Sequence, residues 1–315
     1  MGMLYPPGTE SILTIDLYRY IIHLNLFAFL SAATLTDFYE MIIPDSITIV
    51  GTVTALFIAV QSPLAALPVT EICWNEDFFP TFSPNVYSMD MWSPNSSGNS
   101  PFIAVTLLWW FWCFAMLDRV WYTKLPFRKA NAIFWRYLYR SPRTKYIVAA
   151  ALIVPIGFVH TIGSAMGNSI TEHALLSALV GMATGMILVW GIRLVARWVL
   201  GVEAMGFGDV TLMGMIGAFL GWQAVLLVFF AAPFFGLVYG IVNVALGKGR
   251  AVPYGPFLCL ATVVVVIAWS PIWAATAEYF SFGIGIIGIA LLVLLVLFGG
   301  LLHVVHKVFS GLRRN

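Results

Sequence analysis

Charge is the scarcest commodity in this chain of 315 residues. Only 10% of them are Asp, Glu, Lys or Arg, while 61% are hydrophobic and the mean hydropathy is +0.92. Ordinary soluble domains carry about 25% charged residues, so a soluble globular protein is excluded and an integral membrane protein is implied. Cysteine is scarce too. Cys73, Cys113 and Cys259 stand far apart and form no CxxC pair, which leaves a zinc site by that route and a disulfide framework unsupported. The first 16 residues lack a basic n-region, and the first apolar run leads directly into Asp37, so no cleavable signal peptide is expected.

What the chain has instead is long apolar runs. A hydrocarbon core about 30 Å thick takes about 20 apolar residues to cross. Runs of that kind cover 17–36, 46–67, 101–117, 146–168, 174–196, 223–246, 255–274 and 283–306, with a short apolar stretch at 210–222. The expected fold is therefore all-α, a polytopic transmembrane bundle of eight to nine spans.

Lys and Arg orient it. Segment 118–145 holds Arg119, Lys124, Arg128, Lys129, Arg136, Arg140, Arg143 and Lys145 against Asp118 alone. Loop 68–100 has no Lys or Arg but carries Glu71, Glu76, Asp77 and Asp90. The positive-inside rule places the first segment in the cytoplasm and the second outside. If 210–222 crosses and 223–246 returns, Lys248 and Arg250 face inward with Lys307, Arg313 and Arg314. Nine crossings then leave, of 16 basic residues, only Arg19 near the outer face.

Against so few charges, two aspartates stand out. Asp37 follows the first span, and Asp209 follows Gly206-Phe207-Gly208 at the start of a later one. An acid at the bilayer centre costs about 2.5–3.5 kcal/mol on insertion scales, so acids along spans tend to be functional. The expected topology puts both at the cytoplasmic boundary, where water is available. Asp209 is placed at or near a helix N-terminus, where the dipole favours an anion, and Asp37 at a helix C-terminus, where it does not. Two carboxyl groups in unlike settings suit aspartic proteolysis, in which one takes a proton from water and one polarises the scissile carbonyl. Taken singly, Asp209 also reads as a helix cap and Asp37 as an interfacial acid.

Three stretches, in order, resemble the type IV prepilin peptidases, which are GxGD aspartic proteases. They are Asp37 with Ile43-Pro44-Asp45-Ser46-Ile47-Thr48; Glu203-Ala204-Met205-Gly206-Phe207-Gly208-Asp209-Val210 with Gly217-Ala218-Phe219-Leu220-Gly221-Trp222; and Val252-Pro253-Tyr254-Gly255-Pro256-Phe257-Leu258. The resemblance covers roughly 17–67 and 174–274. It implies that Asp37 and Asp209 are catalytic, supported by Gly206, Phe207, Gly208, Pro44, Asp45, Pro253, Gly255 and Pro256. It implies no metal or organic cofactor. It implies prepilin or pseudopilin precursors as substrates, cut after a glycine on the cytoplasmic side of a bacterial inner membrane, with the lipid bilayer and pilus or secretion assembly proteins as partners.

The chain departs from that family in three ways. Thr211 stands where members often have a lysine just after the second aspartate. The CxxC-bearing methyltransferase domain of bifunctional members has no counterpart. The two aspartates lie much farther apart than in the family, and the excess maps to 68–172. The chain accordingly divides into 1–67 with the first aspartate, the 68–172 insertion, 173–274 with the GFGD motif, and a C-terminal span and basic tail at 275–315. The insertion holds two spans, an even number, so the topology downstream is unchanged.

Other features have plainer readings. Asp45 could join the site, and it also reads as the N-cap of the second span. Pro253-Tyr254-Gly255-Pro256 could pair with an extended substrate or simply start a helix with proline in its first turn. His303 and His306 have no nearby acid and make a poor metal site. The basic, aromatic stretch 119–145 suits anionic lipid headgroups better than nucleic acid. Glycines 181, 185, 214 and 217 have helix-packing spacing. The rival functions are a GxGD protease of other specificity, or a non-catalytic membrane component or transporter that uses the acids for proton coupling. A transporter would more often hold its acids near the midplane, and no internal repeats point to one.

Overall fold

The computed structural model describes residues 9–61, 67, 72–74, 80–82, 100–117, 127–164, 169–200, 205–246, 253–280, 286–297 and 299–300. Its helices are α1 (Thr9–Glu40), α2 (Asp45–Gln61), α3 (Ser100–Met116), α4 (Phe127–Arg140), α5 (Pro142–Ser164), α6 (Ser169–Leu200), α7 (Phe207–Ala245), α8 (Gly255–Ile267) and α9 (Trp269–Phe280). A further apolar helix covers Ile286–Leu297. Helices close their own backbone hydrogen bonds, as a hydrocarbon solvent requires. The expected helical architecture holds, with one addition. β1 (Ile72–Trp74) and β2 (Pro80–Phe82) form an antiparallel ribbon inside the 68–100 segment, with Cys73 opposite Thr81.

The centre of the fold is the pair α6 and α7. Gly181 and Gly217 approach so closely that a Cβ on either would run into the other's carbonyl, and a Cβ at Gly185 would meet the Met213 backbone. Without side chains at the seam the two backbones can touch, and dispersion does what hydrophobicity cannot do in lipid. Leu179, Met182, Met186, Met213 and Ile216 are buried around it. The small-residue spacing is therefore a packing device, as expected. Overpacking costs about 1–3 kcal/mol where side chains can yield. Here backbone meets backbone, so Gly181→Val should lower the thermal unfolding midpoint in detergent. Gly157→Val, where nothing lies within 4 Å of the added Cβ, should leave it unchanged.

Around this pair, α2 and α8 pack on α7, and α1 packs on α8 and α2. Gly51 of α2 sits against Met215, and the Phe257 ring of α8 lies 5.5 Å from that of Tyr239. The middle segment attaches through α3, which packs on α5 and α6. The indole N–H groups of Trp109 and Trp110 donate to the carbonyls of Ala150 and Ala151, at 3.2 and 2.9 Å.

The count of eight to nine spans is not confirmed. Among the described residues three helices are long and apolar enough to cross: Leu17–Glu40, Ala174–Arg197 and Phe207–Asn243. The pair α8 and α9, bent by 92°, makes a fourth if taken as one span. Helices α2 and α3 are 17 residues each. The run 255–274, expected as one span, breaks after Ile267 because Pro271 has no N–H for the Ile267 carbonyl and its ring would clash there. The expected division between 210–222 and 223–246 falls at Gly221, whose φ of 82° and ψ of 172° interrupt α7. Glu203, Lys248, Arg250, His303, His306, residues 118–126 and the side chain of His160 lie outside the described residues.

Candidate active site

Helix α1 stops where its last carbonyls find a partner. Met41 takes the left-handed conformation at φ 53°, and its N–H donates to the Asp37 carbonyl at 3.0 Å. That is a single-bond C-terminal cap of the kind glycine usually supplies. Left-handed backbone costs a residue with a Cβ about 1–2 kcal/mol. Met41→Gly should therefore raise stability by about 1 kcal/mol, read from denaturant unfolding in detergent.

The reversal brings Ile43 back against the start of α7. A Cβ on Gly208 would lie 2.8 Å from the Ile43 Cβ and 3.1 Å from its carbonyl oxygen, so only glycine admits this approach. One residue on, Asp209 is buried at 7% exposure, and its Oδ2 accepts the Gly206 N–H at 3.1 Å. The helix opens at Phe207, so Asp209 is its third residue rather than the cap itself. It reaches back to an amide at the helix entrance, as the acidic member of a capping box does.

The third strand of the site comes from far along the chain. Asp37 is 5% exposed, and its Oδ2 accepts the Gly255 N–H at 3.1 Å across 218 residues of sequence. Gly255 is the first residue of α8, and Pro256 follows it in the first turn. Pro253-Tyr254-Gly255-Pro256 is thus a helix start with proline in its first turn, whose Gly255 amide is aimed at Asp37. Both helix entrances, α7 and α8, direct amides at carboxylates, which suits the positive end of a helix dipole.

The two carboxylates lie within electrostatic reach of each other. Asp209 also feels the charge of Arg193 on α6. Burial, reinforced by the charge of Asp209, pushes the Tyr254 phenol up to about 12, so it stays a neutral donor. Cys259 interacts with both aspartates and shares a side-chain hydrogen bond with Thr34.

The structure thus joins Asp37 to Gly255 and Asp209 to Gly206 by hydrogen bonds and packs Gly208 against Ile43, with the two aspartates within electrostatic reach of each other. Phe207 is half-buried at the entrance to α7 and packs on the core. Pro44 accepts the Ile47 N–H at 3.1 Å and starts α2, whose first residue is the half-buried Asp45. Among the described residues no group of three or more His, Cys, Asp and Glu side chains could hold a metal ion.

Sequence reasoning named Ile43 and Tyr254 only as motif members without a role, and gave none to Arg193, Thr34 and Cys259. Signals existed for three of them. Thr34 and Asp37 are spaced i, i+3, Gly255 and Cys259 i, i+4, each pair sharing a helix face. Arg193 is a lone cation in an apolar span. Thr211 is 3% exposed, with its hydroxyl donating to the Gly208 carbonyl at 3.0 Å. A lysine in that position would have to bury its charge or displace the turn.

Residues 143–241 match the family described as the Type IV leader peptidase family. The match contains Gly206, Gly208 and Asp209 and ends before Gly255; it begins at 143, inside the segment read as an insertion. A prepilin leader peptidase/N-methyltransferase of Stutzerimonas stutzeri is 31% identical over 135 residues, which is 42% of this chain and 45% of that protein. Proteins with the same name from Aeromonas salmonicida (strain A449) and Pseudomonas aeruginosa are 32% identical over 87 residues and 30% over 113. Those alignments cover 27% and 35% of this chain and 30% and 38% of the relatives. The chain spans less than half the length of these relatives. No solved structure matches it.

Proposed function

We propose, from residues 143–241 as a type IV leader peptidase segment, that this membrane protein is an aspartic endopeptidase acting on prepilins or pseudopilins. The reading is supported by Asp37 on α1 and Asp209 on α7 being buried, each accepting a backbone amide, and lying within electrostatic reach of each other. A pair of close carboxyl groups favours holding one proton between them, because like charges resist ionising together. The ionised member takes a proton from water as that water attacks the scissile carbonyl. The protonated member donates to the carbonyl oxygen; as the resulting diol collapses, that hydroxyl proton returns to it and the first carboxyl passes its proton to the departing amine. Gly206 and Gly255 hold the carboxylates in register. The distribution of Lys and Arg supports a site at the cytoplasmic boundary. A substrate whose hydrophobic helix lies in the bilayer would then present its leader beside it.

Co-expression with a prepilin tests this. The chain should convert the precursor to a faster-migrating form with a new amino terminus just after the leader glycine. A precursor left intact beside well-folded protein, for every prepilin or pseudopilin offered, would overturn the substrate assignment.

A further inference from the structure

An elongated cavity of about 1090 Å³ lies between α2 of the catalytic half and the α3–α5 pair of the middle segment. Its walls are almost wholly apolar and include Val53, Phe57, Trp112, Ala150 and Ile153. Along α2 it runs from Ile49 to Gln61, twelve residues or about 18 Å at 1.5 Å per residue. That length and the apolar lining suit hydrocarbon chains.

Its rim is not neutral. Pro142 and Tyr146, at the start of α5, line the cavity. Beside them stand the exposed Arg140 and Lys145, and α4, which packs on α5, exposes Lys129 and Arg136. Arg140 and Lys145 beside an apolar slot, backed by the cations of α4, complement a ligand with a negative head and an apolar tail.

We infer that the gap between α2 and α3–α5 is a binding site for one anionic phospholipid, its chains in the slot and its phosphate on the α4–α5 cations. The lipid would fill the boundary between the two segments and fix α2, whose first turn follows the Ile43 reversal beside Gly208. This site is independent of the proposed peptidase activity and stands or falls without it.

Native mass spectrometry of the full chain, exchanged between phosphatidylglycerol and phosphatidylcholine, provides the test. Retention of phosphatidylglycerol should exceed that of phosphatidylcholine by at least about fivefold. Val53→Trp with Gly157→Phe should abolish retention of both; Gly157 lines the slot with open space at its Cβ. Arg136→Gln with Arg140→Gln and Lys145→Gln should erase the preference between the lipids. Equal retention of the two lipids by the unaltered chain overturns the assignment, and that comparison needs no variant. So does retention untouched by filling the slot, or a photo-crosslinker at Val53 that captures prepilin instead of lipid.

Discussion

Asp37→Asn and Asp209→Asn should each reduce leader cleavage by about 10²–10⁴-fold or more, the range spanned by removal of a positioned general acid or base. Asparagine keeps the size and the acceptor oxygen, so the Gly255 and Gly206 amides retain a partner. What is lost is the ability to exchange a proton. The loss should fall on the rate at saturating substrate and leave KM near its original value, since neither side chain is asked to hold the substrate. Protein level and melting temperature in detergent should stay close to those of the unaltered chain. A variant that fails to accumulate would report on folding, and Asp→Glu at the same position then separates the two effects by retaining the titrating group.

Gly255→Ala should have the second largest effect. The added Cβ would meet the Asp37 Oδ2 at 2.5 Å and its carboxyl carbon at 3.3 Å. Either α8 or the Asp37 carboxylate must shift. A displacement on the order of 1 Å costs about 10²-fold in rate when it misplaces a reacting group. The amide itself survives the substitution, so a large loss would show that position, and not merely the presence of a donor, matters. As a comparison, Gly240→Ala meets nothing within 4 Å and should cleave at the normal rate.

Much of the candidate site was legible because its chemistry is rare in such a chain. Two aspartates at span boundaries, one behind glycines, cannot be explained by hydropathy, and the sequence pattern singled them out. The packing glycines were legible for a related reason: Gly181, Gly185, Gly214 and Gly217 fall on the faces that bring α6 and α7 together. The span count was not legible, because hydropathy sees composition and not continuity. Residues 255–274 are uniformly apolar, yet the backbone turns by 92° within them. The cause, Pro271, was present in the sequence but lies near the end of the run, where it reads as a terminus. Likewise the α8 amide on Asp37 joins positions 218 residues apart, and no local pattern announces which free amide will meet which carboxylate.

The measurement that bears most directly on the two-carboxylate site is a single-turnover comparison of four purified preparations: the unaltered chain, Asp37→Asn, Asp209→Asn and the double variant, with one prepilin. If the pair acts as a unit, the double variant will be no slower than either single one, because removing one carboxyl already removes the mechanism. Losses that multiply, or a normal rate in either single variant, would show that the two aspartates do not form one catalytic unit.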